Sequence, residues 1–451
     1  MRSIWAVAIN TIKQALRMKV AVVFMILLFV LLPVLGASAT GDETLKGRLQ
    51  TFVSYGLSLT SFLLCILTII VSVYSVTSDI EQRQIYTVIT KPIRRFQLLL
   101  GKLLGVLLLD IALLALFSGI IFIIAVYTPT FTKPPESELI EADNEFFTAR
   151  AALSVPPVDV TDAVKARYEQ LKELDQLPPG YTTEQTIAEL TKQAQLAKRA
   201  AAVGGMLVWE FNNVKPLSDS MFIRFKYDIF PNPPDSQVYG RWMAGDWQFI
   251  KYGQRPKTPI YDQLHKNAAR TFHEVEFPAE VVPEDGHLAI AFQNVPYNSS
   301  TVIFPPDGLE VLYKADTFAG NFVRAVFLIL CRLIFLACLG LFASSFLSFP
   351  VAILLCLWIF CTASISGFIN DSFSLLSYNV GVFYSYTIQW VVGLLPQFDK
   401  FNPTTFIVPA KLVNWSFLAK CVFTMVCIKA FLALILGLII FRYREIARIT
   451  V

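Results

Sequence analysis

Six separated stretches of this 451-residue chain are apolar and long enough to cross a lipid bilayer, and no soluble fold has a use for six of them. A helix crossing the hydrocarbon core needs about 20 residues. The stretches lie at approximately 20–38, 52–76, 98–126, 320–346, 349–370 and 417–441. They raise the hydrophobic share to 55% and hold the charged share at 16%, against roughly 45–50% and about 25% in ordinary soluble domains. A soluble globular protein is excluded. So is a disordered or low-complexity chain, because 37 residues are Phe. The expected fold is an α-helical polytopic membrane protein with six transmembrane helices.

The charges divide the chain in the same way. Residues 128–317 hold 18 Lys and Arg against 26 Asp and Glu, while the remainder holds 20 against 8. An acidic block is thus inserted in a basic, apolar frame. The basic residues are too dispersed for a nucleic-acid surface, and they flank the apolar runs instead. The inserted block reads as an α+β extracytoplasmic domain over 127–318. Its first part, 137–203, is helical, with helices near 137–150, 160–176 and 184–203 separated by Pro156-Pro157 and Pro178-Pro179-Gly180. From 205 to 315 the pattern turns to short runs such as Met221-Phe222-Ile223-Arg224-Phe225, alternating with period two, which predicts a β-sandwich.

All seven cysteines lie in apolar runs and read as small buried hydrophobes. No cysteine spacing suggests zinc, and the three histidines, His265, His273 and His287, form no HExxH pair. No metal site and no catalytic constellation is expected. Asn298-Ser-Ser and Asn414-Trp-Ser are formal glycosylation sequons. Ala37-Ser38-Ala39 has the form of a signal-peptidase site, but the 19 residues before the first apolar run are too long and too patterned for a leader's basic head.

Residues 2–17 are that patterned segment. Ile4, Ala8, Ile9, Ile12, Ala15 and Leu16 recur at helical spacing, with Lys13 and Arg17 elsewhere, so 1–19 is expected to be an amphipathic helix lying along the membrane surface. Orientation follows from Lys and Arg in the short loops. With the N-terminus cytoplasmic, the inner segments hold twelve such residues and the short outer segments four. This places both termini inside, in a cell (inner) membrane, and the acidic block outside.

Two sets of residues carry mechanism. Between spans two and three, Ser78-Asp79-Ile80-Glu81 has the form of a capping box that would start a short cytoplasmic helix at about 78–90. Lys91-Pro92 would end it, and Arg94 and Arg95 follow. Within the spans, Asp110, Arg332 and Lys429 are unpaired by sequence position. Each costs at least about 2.5–3.5 kcal/mol at the bilayer centre without a partner. Asp110 is expected to pair with Arg332 or Lys429, so that Asp110→Asn would lower assembly or stability.

The run from Ser78 through Ile85-Tyr86-Thr87-Val88-Ile89-Thr90-Lys91-Pro92-Ile93-Arg94-Arg95 to Leu98-Leu99-Leu100-Gly101-Lys102 resembles the span-two-to-three loop of type-2 ABC transporter permeases, in particular the branch described as permeases for multi-copper enzyme maturation. Gln84-Ile85 stands where many members have Gly-Thr. Helix 2–17, the turn Phe346-Leu347-Ser348-Phe349-Pro350, the outer segment Leu394–Asn402 and the basic ending Phe441-Arg442-Tyr443-Arg444 are similar to further parts of that family. The likeness covers about 1–126 and 320–451.

It implies a permease subunit, for export or extraction, whose coupling helix at 78–90 docks on a separate ATP-binding subunit through Asp79, Glu81, Arg83, Lys91, Pro92, Arg94 and Arg95. It implies spans one to three over 20–126, spans four to six over 319–451, and an outer re-entrant segment at 380–396. It implies a second permease copy or homologue, membrane lipids as surroundings, and ATP and Mg on the partner alone. The chain has no G-x-x-x-x-G-K-[ST], so no ATP hydrolysis by that route is expected of it, and no cofactor. A copper role finds no Met-rich or Cys/His-rich tract. The rival reading is a membrane-anchored adaptor or sensor whose outer sandwich binds an extracytoplasmic protein partner.

Overall fold

The computed structural model describes residues 2–81, 94–155, 159–174, 183–212, 214, 219–231, 236–374, 393 and 395–443. The chain forms two units, one from Met1–Thr148 with Thr317–Val451, the other Ala149–Asp316.

The first unit is helical. Its leading elements are α1 (Arg2–Arg17), α2 (Lys19–Ser38), α3 (Leu45–Glu81), α4 (Arg95–Thr132) and α5 (Glu136–Glu145). After the inserted unit come α9 (Phe318–Ser344), α10 (Phe349–Ser364), α11 (Ser366–Ser374), the short α12 (Thr404–Ile407) and α13 (Trp415–Tyr443), the last with a π-helical stretch at Val422–Ala430. Among the described residues five helices are long and apolar enough to cross a membrane: α2, α3, α4, α9 and α13.

The expected fifth span, 349–370, is shorter than the sequence suggests. Helix α10 stops at Ser364 after 16 residues, about 24 Å of rise against an apolar core of about 30 Å. The cause is an intruding backbone. Phe398 N–H donates to Ala363 O (3.1 Å), and the Asp399 carboxylate accepts from Phe368 N–H (3.0 Å). A Cβ on Gly367 would stand 2.1 Å from Asp399 Oδ2, so the approach requires glycine there.

Helices α3 and α4 overrun their expected ends, by up to about two turns. At 37 residues α3 rises about 55 Å. Its first amide, Leu45 N–H, donates to Glu138 Oε2 of α5 (2.9 Å), and Lys46 pairs with Glu141 (3.5 Å) and with Glu145. The rings of Phe146 and Phe147 pack against Phe318, tilted and edge-on, with centroids 5.2 and 5.6 Å away. Residues 136–148 therefore pack with the helical unit, whereas the acidic composition assigns them to the inserted domain. The expected helix 137–150 ends at Glu145, and Thr148–Ser154 is strand β1.

The second unit continues with α6 (Thr161–Glu173), α7 (Thr183–Ala197) and strands β2 (Ala200–Ala201), β3 (Met206–Phe211), β4 (Ser220–Phe225), β5 (Asp228–Phe230), β6 (Gln237–Asp246), β7 (Tyr261–Ala268), β8 (His273–Pro278), β9 (Leu288–Asn294), β10 (Thr301–Ile303) and β11 (Leu309–Thr317). A one-and-a-half-turn α8 (Trp247–Tyr252) follows β6. The sheets run β1-β11-β4-β8, β2-β10-β5 and β3-β9-β6-β7. Period-two alternation turns Met221, Ile223 and Phe225 of β4 into the core, opposite Trp209, Trp242 and Phe292 from the β3-β9-β6 sheet. Phe225 and Trp242 meet at 4.4 Å between ring centroids, which makes these two four-stranded sheets the walls of one core.

Candidate functional site

The loop between α3 and α4 is rooted in a buried ion pair. Asp79 lies in the last turn of α3 and Lys102 in the second turn of α4, and Asp79 Oδ2 is 2.6 Å from Lys102 Nζ with the lysine side chain 3% exposed. The same Nζ donates to Ser75 O. Removing one partner of such a pair costs about 3–5 kcal/mol, because the other charge is left buried alone. One sequence expectation changes here. Ser78–Glu81 do not begin a helix; they continue α3, which runs unbroken from Leu45 to Glu81. Asp79 is paired with Lys102. Glu81 is the last described residue of α3, and Arg83, Lys91 and Pro92, with most of the expected coupling helix, lie outside the described residues.

The other limb of the loop begins at Arg94 and Arg95, both exposed. Arg94 N–H donates to Gln97 Oε1 (3.2 Å), closing the first turn of α4. The Arg95 guanidinium donates to Phe441 O (3.3 Å) and Arg442 O (2.8 Å), near the last described residues of α13. The loop's exit is thus joined to α13.

The three charges in the spans do not meet. Asp110 is 1% exposed, and one of its oxygens lies 2.9 Å from Thr68 Oγ1 of α3. Arg332 donates to Ser61 Oγ (3.1 Å) and Phe398 O (2.9 Å). Lys429, on the π-helical stretch, donates to Gly393 O (3.0 Å) and Leu395 O. Among the described residues neither cation lies within 4 Å of Asp110, so the expected pair is replaced by two cation-to-carbonyl clamps. The physical reason is the irregular backbone at Leu395 and Phe398. Non-helical carbonyls in an apolar bundle need donors, and here they take the cations. Asn321 grips the same segment, donating to Lys411 O (2.7 Å) and accepting from Val413 N–H (2.8 Å), and Gln50 donates to Val408 O (2.9 Å). The re-entrant helix expected at 380–396 falls almost wholly outside the described residues.

Sequence reasoning missed a polar seam. Ser61, Cys65, Thr68, Ser72, Ser75 and Asp79 recur every three or four residues along α3, and all are buried. The seam meets Arg332 at one end, Asp110 in the middle and Lys102 at the other. Where it crosses α9, a Cβ on Gly340 would stand 1.9 Å from Ser72 Oγ. The signal was available in the sequence as small polar residues at heptad spacing inside an apolar run.

In the second unit the histidines serve structure. His265 Nε2 lies 3.0 Å from Tyr261 Oη, and burial lowers its affinity for a proton. His273 contacts Thr271 Oγ1 and Ala268 O. His287 stacks on Trp247 at 5.0 Å. Among the described residues no three His, Cys, Asp or Glu side chains gather where a metal ion would need them. The Asn298 amide of one sequon is committed: its Nδ2 donates to Tyr239 O (2.7 Å) and Asn294 Oδ1 (2.6 Å), and its Oδ1 accepts from Tyr239 N–H (3.0 Å).

Residues 5–142 match the family model described as ABC-2 family transporter protein. The match takes in α1 to α4 and most of α5, less than a third of the chain, and includes the loop rooted at Asp79 and Lys102. No curated protein and no solved structure matches the chain significantly. The multi-copper maturation branch is not distinguished by these comparisons.

Proposed function

We propose that this chain is the membrane-spanning permease subunit of an ABC transporter, driven by a separate ATP-binding subunit that docks on the loop between α3 and α4. The match over residues 5–142 carries this reading. The stapled base of the loop supports it. A docking loop transmits force only if both limbs are fixed to the bundle, and here Asp79–Lys102 fixes the limbs to each other while Arg95 fixes the exit to α13. ATP-driven closure of the partner would displace the loop, and the bundle would answer as a rigid body. The Lys and Arg bias of the short loops supports cytoplasmic termini and an extracytoplasmic Ala149–Asp316 unit. In this reading α10 and α11 together make the fifth of six crossings, and a second permease copy completes the transporter.

The test is a gentle-detergent pull-down of the tagged chain, with and without Lys91→Glu/Arg94→Glu, assayed for bound protein and ATPase activity. Recovery of an ATPase with the wild type and its loss with the variant is the expected result. No ATPase with an intact wild-type chain would transfer the weight to an adaptor or sensor, whose binding module would be the Ala149–Asp316 unit with its own aromatic core.

A further inference from the structure

Helix α1 presents two apolar faces, and the bundle covers only one. Ala8, Thr11 and Ala15 are buried. Their backbone lies so close to α4 that a Cβ on Gly101 would stand 2.7 Å from Val7 Cβ, and one on Gly105 2.6 Å from Ala8 O. The large apolar side chains point elsewhere. Trp5, Ile9 and Leu16 are 55%, 38% and 46% exposed, with half-buried Ile12 among them. Positions 5, 9, 12 and 16 form one helical stripe. Beside the stripe stand Lys13 and Arg17, both exposed, and α1 contains no Asp or Glu. The first acidic residue of the chain is Asp42.

What covers the stripe follows from where α1 ends. Met18, in extended backbone (φ −71°, ψ 121°), is the single residue between α1 and α2, and α2 is a 20-residue apolar helix long enough to cross the bilayer. Helix α1 therefore sits at the level where a membrane begins. A stripe of Trp, Ile and Leu at that level meets acyl chains, and the adjoining Lys13, Arg17 and exposed Lys19 meet headgroup phosphates.

We infer that α1 is an anionic-lipid-binding element: Trp5, Ile9, Ile12 and Leu16 enter one leaflet, while Lys13, Arg17 and Lys19 select headgroups of net negative charge over zwitterionic ones. Because α1 is seated on Gly101 and Gly105, two to three turns beyond Arg94 and Arg95, the lipid steadies the first turns of α4 that follow the loop. The inference depends on the chain being embedded in a membrane and not on the identity of any ATPase.

The test uses the purified full chain in nanodiscs. Lipids brominated on the acyl chain should quench Trp5 fluorescence, isolated by difference against Trp5→Phe from the other six tryptophans. In mixed phosphatidylcholine and phosphatidylglycerol, the chain should retain phosphatidylglycerol about tenfold in excess of its share, three basic side chains near an anionic surface being enough for that. High salt should erase the excess in the wild type, as should Lys13→Gln/Arg17→Gln/Lys19→Gln. Absence of Trp5 quenching overturns the leaflet placement. Proportional retention of the two lipids by the wild type at low salt overturns the headgroup selectivity, whether or not the variant folds.

Discussion

Lys102 and Asp79 show what one buried charge demands. Each is tolerable inside an apolar bundle because the other is 2.6 Å away. We expect Lys102→Met alone to lower the thermal midpoint in detergent steeply, by the equivalent of about 3–5 kcal/mol. Asp79→Leu/Lys102→Met should recover most of that loss, since neither charge remains. A double variant as unstable as the single would mean that packing, not charge, holds the two helices. Asp110 makes the opposite case. Among the described residues its one hydrogen bond is to the Thr68 hydroxyl, and an amide makes the same bond. Asp110→Asn should therefore cost no more than about 1 kcal/mol, where the sequence, read as an Asp–cation pair, predicts a lasting defect. Asp110→Leu, which removes that hydrogen bond and alters the shape, should cost more, although the Thr68 hydroxyl keeps Leu64 O as an acceptor (2.8 Å). Thermal midpoints of both variants decide between the readings. Residue identity announced that these charges matter, but not which atoms they serve. A lysine at position 429 reads the same whether it faces a carboxylate or the carbonyls of Gly393 and Leu395.

At the scale of elements, glycines set the distances. Gly101 and Gly105 let α1 lie against α4 closely enough that a methyl group at 105 would stand 2.6 Å from a backbone oxygen. Backbone yields less readily than a side chain, so Gly105→Ala should destabilise by about 1–3 kcal/mol. It should also free α1, which limited proteolysis near residues 17–19 would report as faster cleavage. The four-residue spacing of those glycines is common by chance. It became informative only when α1 proved to carry Ala8, Thr11 and Ala15 on the facing side. The amphipathic pattern of 2–17 was legible, but its apolar residues were one set in the sequence and are two in space. Likewise the apolar run 349–370 had the composition of a span. Its break at Ile365 is imposed by Phe398 and Asp399, some 30 residues later, which no local pattern announces.

For the whole molecule, the inserted unit should answer to pH independently of the bundle. His265 is half-buried beside Tyr261, and burial holds its imidazole below the ordinary value of 6.5. Above that value both folded and unfolded chains are neutral there, and nothing is lost. As pH falls below about 6.5 the unfolded chain takes up a proton that the folded one resists, so stability declines until the folded imidazole also titrates. The tryptophan-reported unfolding midpoint of the unit should drop as the pH falls below about 6.5. In His265→Gln the slope should be shallower; an equal slope would place the sensitivity elsewhere.

Composition and periodicity by themselves determined that this chain is built of apolar helices interrupted by an acidic, sheet-forming insertion, because burying apolar surface and satisfying backbone groups in lipid leave few other solutions. They located the helices to within a few turns and marked the loop after α3. Only the tertiary structure decided the partners: that Asp79 turns inward to Lys102, that Arg332 and Lys429 hold carbonyls instead of Asp110, and that residues 136–148 pack on the helical unit. Those outcomes depend on which groups become neighbours when distant segments meet, and a buried charge or an unpaired carbonyl takes the nearest complement that the fold supplies.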